Sequence, residues 1–221
     1  MSPAPGTLVV DADHGRLLLR AADQSDLVSV PVDSHGAVDD ARAWVAAIDE
    51  IAASERTAIS GLSSVVVRAS EVGLVCVGVD GTDVHPISWA DDDRSAPDAA
   101  WCRKKHEDAW WESEVGMVPE YRNLVTKLSL VHRSAPDAWE RARFFCSVED
   151  YLRWHLVSTN APGSFITRPK VAATFGLWRL GGYRAAVLSL IDADRNWSGV
   201  LPEVGIEGTV LGTWCQLDVR L

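Results

Sequence analysis

The first third of the chain alternates short apolar runs with polar turns. Residues 7–10 are apolar, Asp11-Ala12-Asp13-His14-Gly15 is a polar turn, and residues 16–20 and 27–32 are strand-like again. Short runs separated by glycine-containing turns predict strands joined as hairpins, here a three-strand meander. The period then changes. Val38, Ala41, Trp44, Val45, Ile48 and Ile51 share one face at helical spacing, with Asp39 and Asp40 at the amino end that favours carboxylates. Residues 58–61 and 74–79 read as buried strands, the second closed by the turn Asp80-Gly81-Thr82-Asp83. Strand, helix and strand in this order predict an α/β layer architecture.

The middle of the chain is helical in pattern. Tyr121, Leu124, Val125, Leu128 and Val131 form one stripe, and Ser134 with Pro136 marks a helix restart. Residues 143–146 suit a short strand. Ser147 is then placed to cap a helix whose apolar positions are Val148, Tyr151, Leu152 and Leu156, with His155 on the same face. A loop is expected over 159–163 and a strand over 171–177. A last helix carries Tyr183, Val187, Leu190 and Ile191, and one more strand falls within 205–214. There is no internal repeat and no Pro/Gly/Ser-rich linker, so a single domain over residues 1–221 is expected.

Composition narrows the class. With 47% hydrophobic and 24% charged residues, disordered, collagenous and low-complexity chains are excluded. No apolar run reaches the ~20 residues of a membrane-spanning helix. A net charge of −10 argues against nucleic acid and anionic membrane as partners, because both need clustered Lys and Arg. The start of the sequence lacks the basic and apolar regions of a secretion signal. Cys76, Cys102, Cys146 and Cys215 fit no zinc spacing and suggest reduced thiols of a cytoplasmic protein. His85, His132 and His155 have no partner at metal spacing. Of the ten tryptophans, Trp101, Trp110 and Trp111 flank a charged run, either as an interface or as ordinary core.

Four segments, in order, resemble the N-terminal domain of the FGGY carbohydrate kinases, the group that includes xylulokinase, gluconokinase and glycerol kinase. Asp80-Gly81 through Ser95, with Pro86-Ile87-Ser88-Trp89-Ala90-Asp91, is similar to the family's "DxDG…RPAIxWxDxR". Thr126-Lys127-Leu128-Ser129-Leu130 followed by Ala135-Pro136-Asp137-Ala138-Trp139-Glu140-Arg141-Ala142 resembles "PKLLWL…EPExxxRA". Glu149-Asp150-Tyr151-Leu152-Arg153-Trp154-His155-Leu156 is similar to "KDYLRWRL" and is the most specific. Trp197-Ser198, Leu201-Pro202-Glu203-Val204 and Gly208–Gly212 resemble "WS…LPEV…GxxxG". The resemblance implies a ribonuclease-H-like, actin-like ATPase domain, with a mixed sheet flanked by helices.

It also implies sites. The family's phosphate turn "DxGTxx" falls on residues 11–15, where Asp11 keeps the carboxylate, Asp13 replaces glycine and His14 replaces threonine. A second carboxylate there repels phosphate. Asp11 and Asp13, with His14, could instead hold a cation, and a solvated hairpin turn is the alternative. Trp89 stands where an aromatic ring packs on the sugar, with Asp91 and Arg94 as the polar pair behind it; for Trp89 a core position is the alternative. The sugar-reading "GQMHG" loop, expected after Ser60-Gly61, is replaced by Leu62–Arg68, and "SDAsGT" by residues 168–174. The "GxGD" aspartate and the nucleotide-side domain would lie beyond Leu221. Three functions are therefore expected: a catalytically incomplete domain that binds a sugar, polyol or protein partner; half of a split kinase, using ATP and Mg²⁺ once joined to a C-terminal half; or a dimerisation domain, a homo-oligomer by design.

Overall fold

The computed structural model describes residues 6–11, 15–21, 23, 25–32, 41–60, 62–68, 73–88, 93–157 and 164–221. Alternate side chains of the first apolar runs share a face, and this pleat builds the main sheet. Strands β1 (Gly6–Asp11), β2 (Arg16–Arg20) and β3 (Asp26–Pro31) form the expected antiparallel meander. Helix α1 (Ala41–Ser54) and the one-turn α2 (Arg56–Ile59) lead into β4 (Leu62–Arg68), which lies parallel to β1. A second sheet begins with β5 (Leu74–Val77) and β6 (Asp83–Ser88). A single 3-10 turn (Asp93–Ser95) opens a helical layer: α3 (Ala96–Lys105), α4 (Asp108–Val115), α5 (Leu124–Ser134) and α6 (Pro136–Arg141).

Strand β7 (Phe144–Ser147) completes the second sheet in the order β6-β5-β7. Helix α7 (Val148–Leu156) follows at once, its first turn capped by Ser147, whose Oγ accepts from Asp150 N at 3.1 Å. Then come β8 (Ile166–Thr167), α8 (Pro169–Ala173), the small hairpin β9 (Trp178–Arg179) and β10 (Gly182–Tyr183), α9 (Ala185–Ile191) and β11 (Glu203–Val204), which pairs with β8. The chain ends on β12 (Val210–Trp214) and β13 (Leu217–Arg220). The main sheet runs β12-β13-β4-β1-β2-β3, with β13, β4 and β1 mutually parallel and the outer strands antiparallel. This is a mixed sheet flanked by helices, as the resemblance implies.

Two cores share the second sheet. Val75, Val77 and Cys146 face a core made of Leu8, Val10, Leu17, Leu19, Val65 and Val67 with the buried stripes of α1 and α7. Leu74, Cys76 and Phe145 point the other way, into a core of Trp111, Leu128, Val131, Trp139, Phe175 and Leu188. The period of two lets one strand serve both layers. Trp111 is fully buried, its Nε1 donating to Cys102 O at 3.3 Å, so the core alternative holds for that residue; Trp101 and Trp110 are half-buried against the same cluster. The four cysteines are free thiols, three buried and Cys215 exposed. Burial pushes the Cys76 and Cys102 thiols up to about 12, which leaves them inert.

Several local expectations are corrected. Residues 58–60 do not form a strand, and Gly61 lies outside the described residues: Ile59 N bonds Glu55 O at 2.9 Å and Ser60 N bonds Arg56 O at 3.0 Å, continuing the helical path. The strand is instead Leu62–Arg68, whose β-branched Val65-Val66-Val67 suits a pleat. Over 171–177 no strand forms either. Pro169 stands in the first turn of α8, and Ala172 N bonds Arg168 O at 2.9 Å. Ser134 caps nothing, because its hydroxyl donates back to Leu130 O at 2.7 Å, and Ala135 occupies the cap position of α6. Tyr183 belongs to β10, not to the last helix. The tail holds two strands, joined by the two-residue turn Cys215-Gln216 with φ of 49° and 70°.

Candidate functional site

In open α/β sheets ligands bind beyond the carboxyl ends of parallel strands. Here β1 and β4 end level with one another, on the register partners Asp11 and Arg68. Asp11 is also the register partner of Arg16 on β2. The three side chains therefore form a row, Arg16, Asp11, Arg68, across adjacent strands. Arg16 Nε lies 3.6 Å from Asp11 Oδ2, and the Asp11 side chain is 13% exposed. The row carries one negative and two positive charges. That balance suits an oxyanion or a sugar hydroxyl. One carboxylate between two guanidinium groups is a poor donor set for a divalent cation, which needs several hard oxygens. Among the described residues no cluster of three His, Cys, Asp or Glu could hold a metal.

A second polar assembly lies on α7. Glu149, Asp150 and Arg153 are each about 1% exposed. Arg153 Nη2 donates to Glu149 Oε1, and Nη1 lies 3.2 Å from Ile166 O and 3.4 Å from Asp150 Oδ1. Arg168, the residue before α8, clasps Glu149 with both arms: Nε to Oε1 at 2.8 Å and Nη2 to Oε2 at 2.7 Å. Two carboxylates and two guanidinium groups thus neutralise one another inside the protein, the condition under which buried charge is tolerated. Burial pushes the Asp150 carboxyl up to about 6; Arg153 opposes the rise and Glu149 adds to it. Glu149 stands where the family motif has lysine. Arg168 opens the segment that replaces "SDAsGT". The structure joins these two departures as one ion pair.

The sequence-predicted residues are placed unevenly. Asp11 is at the sheet edge just described. Asp13, His14, Trp89 and Asp91 lie outside the described residues. Arg94 is exposed in the 3-10 turn before α3, whose neighbour Ser95 donates to Tyr121 O at 2.6 Å. Leu62–Arg68, which replaces the sugar-reading loop, forms β4, and residues 69–72 lie outside the described residues. Arg68 was missed by sequence reasoning; only strand register reveals it. The α7 assembly left a trace, since Glu149 and Arg153 stand one helical turn apart. Two clefts among the described residues border neither Asp11 nor Arg68. One of about 590 Å³ lies against Arg56, Leu62 and Cys215, at the amino end of β4. The other, about 630 Å³, surrounds Arg195, which stacks on Trp139 at 4.4 Å and donates to Trp139 O and Ala142 O.

No protein-family model matches the chain. Among curated proteins, the xylulose kinase of Streptomyces coelicolor is 28% identical over 209 residues, covering 93% of this chain and 41% of that protein. Among solved structures, ligand-bound xylulose kinase from Lactobacillus acidophilus superposes with a TM-score of 0.75 at 15% identity, covering 98% of this chain and 47% of the other. Plasmodium falciparum glycerol kinase with ADP gives a TM-score of 0.79 at 9% identity, again covering 98% and 47%. Gluconate kinase from Lactobacillus acidophilus gives 0.72 at 15% identity, covering 93% and 43%. The chain spans less than half the length of these relatives. In fold and in the order of its motifs, it is a domain resembling the N-terminal part of the FGGY carbohydrate kinases.

Proposed function

We propose that these 221 residues are the sugar-side part of an FGGY-type carbohydrate kinase, and that they bind a sugar or polyol without phosphorylating it unaided. The observation that carries this reading is the level ending of β1 and β4 on Asp11 and Arg68, at the ligand-binding edge of a sugar-kinase fold. Phosphoryl transfer is mostly positioning and charge neutralisation. Arg16 and Arg68 supply positive charge at that edge, and Asp11 supplies an acceptor for a hydroxyl. Trp89 offers an aromatic face to the apolar side of a sugar, with Asp91 and Arg94 for its hydroxyls. Asp13 and His14 weaken the turn as a phosphate cradle. Transfer from ATP then calls on a second part, supplied by further chain or by a separate protein partner. Among the described residues Asp11 alone does not supply the several oxygens that Mg²⁺ needs.

Calorimetric titration with D-xylulose, gluconate and glycerol, beside a coupled ATPase assay, tests the proposal. Saturable binding without turnover is expected, and Arg68→Ala should weaken it while leaving the melting temperature unchanged. Sugar-dependent ATP hydrolysis by the pure chain would refute the incomplete reading. Absence of binding across the panel would refute the sugar reading.

A further inference from the structure

A cavity of about 80 Å³ borders α7, lined by Asp150, Arg153, Trp154 and Val157 of that helix and its end, and by Ser164, Ile166 and Leu211. It is separate from the Asp11–Arg68 edge. Two buried polar atoms of its lining residues, Asp150 Oδ2 and Arg153 Nε, make no hydrogen bond, and neither does the buried Oγ1 of Thr167 beside Asp150. The Thr167 hydroxyl is close enough to Asp150 to favour its ionised form. Leaving such groups unmet is costly, because each has lost its water. The remaining bonds of the assembly are already spent. Arg153 uses Nη1 and Nη2 on Ile166 O, Asp150 and Glu149, and Glu149 is closed by Arg168.

The chemistry of the gap selects its occupant. A cation entering meets the Arg153 guanidinium, and an anion meets the Asp150 carboxylate. The four charges of Glu149, Asp150, Arg153 and Arg168 already sum to zero, so an ion of either sign would enter without a counter-charge. What the three atoms lack is a group that donates to Asp150 Oδ2, accepts from Arg153 Nε–H, and exchanges a bond with a hydroxyl. A neutral O–H group does all three. The apolar wall of Trp154, Val157 and Leu211 accepts carbon on the other side. The volume exceeds the ~10–15 Å³ that one water needs.

We propose that this cavity is a binding site for neutral hydroxyl groups, bridging Asp150, Arg153 and Thr167. Ordered water and the hydroxyls of a small polyol share that chemistry, and two arms of one experiment separate them. A high-resolution crystal structure grown without polyol should show oxygen density within hydrogen-bond distance of Asp150 Oδ2 and Arg153 Nε. Titration of the ¹⁵N-labelled protein with glycerol should then give either a saturable shift confined to α7 and β8, abolished in Leu211→Trp, or none. The first outcome assigns the site to polyol and the second to water, and both keep the proposal. Thr167→Val provides a test of sign. If the hydroxyl is bridged, its removal should lower Tm by about 2–4 °C. A cavity without density, or a Thr167→Val protein that melts at or above wild type, overturns the proposal, because removing an unsatisfied hydroxyl from a dry site costs nothing.

Discussion

Replacing Asp150 by Asn tests the buried assembly through its pH dependence. Asp150 is held at a pKa of about 6 against an ordinary 3.8, chiefly because burial disfavours the charge. Above pH 6 the folded protein therefore contains a carboxylate that ionises more readily when unfolded. The gap of roughly two units corresponds to about 3 kcal/mol. Between pH 4 and pH 6 the native state binds more protons than the unfolded state, so this group's contribution to stability falls as pH rises. It is fully present below about pH 3.8 and lost on passing about pH 6. Asn keeps the Oδ1 acceptor that Arg153 Nη1 approaches at 3.4 Å but cannot ionise. The many other carboxylates titrate alike in both proteins and cancel in the difference. Urea unfolding of wild type and Asp150→Asn at pH 4, 5, 6 and 7 should show the wild type losing about 2–2.5 kcal/mol relative to the variant across that range, with similar m-values. A difference that stays flat within about 1 kcal/mol, or that slopes the other way, would refute the reasoning.

Other perturbations read the same structure. Glu149→Ala takes from Arg153, whose side chain is 2% exposed, its nearest counter-charge and leaves two guanidinium groups against Asp150 alone, and should cost about 3–5 kcal/mol in urea unfolding. Arg168→Ala should cost only about 1–2 kcal/mol, since Glu149 keeps Arg153 and the Arg168 side chain is 26% exposed; equal losses would deny the unequal burial. Ser147→Ala removes the cap of α7 and should lower Tm by about 2–4 °C, the effect of ~1 kcal/mol. Gly81→Ala should destabilise by at least ~1–3 kcal/mol. Gly81 has φ +85°, and a Cβ there would come within 2.5 Å of the Trp154 ring, so altered tryptophan fluorescence should accompany the loss.

Much of the local structure was legible because it rests on neighbours in sequence. The meander follows from short apolar runs and the turn before Gly15. The α5 stripe follows from the spacing of Leu124, Val125, Leu128 and Val131. The Ser147 cap was readable because its acceptor bond spans three residues. Elements failed where two local tendencies competed. Ile59 looks like the heart of a strand, yet it closes a helical turn on Glu55. Val171 looks like a strand residue, yet Pro169 starts a helix before it. α3 and α4 carry no clean apolar stripe, because buried Asp98 and half-exposed Trp101 and Trp110 interrupt it; Asp98 is buried only because Arg133 and Ser129 bond to it from α5.

By itself, the sequence determined which faces are apolar, where helices are capped, and the motif order shared with the FGGY kinases. Those properties depend on side-chain period and on turn chemistry within a few residues. Only the tertiary structure decided that Asp11 stands between Arg16 and Arg68, and that Glu149 meets Arg168. Both arrangements depend on the register of strands and on the packing of α7 against β8 and α8. A shift of one residue in β4 would turn Arg68 to the other face and leave the sequence pattern almost unchanged. Long-range register is set by burial of the whole sheet, and no local periodicity encodes it.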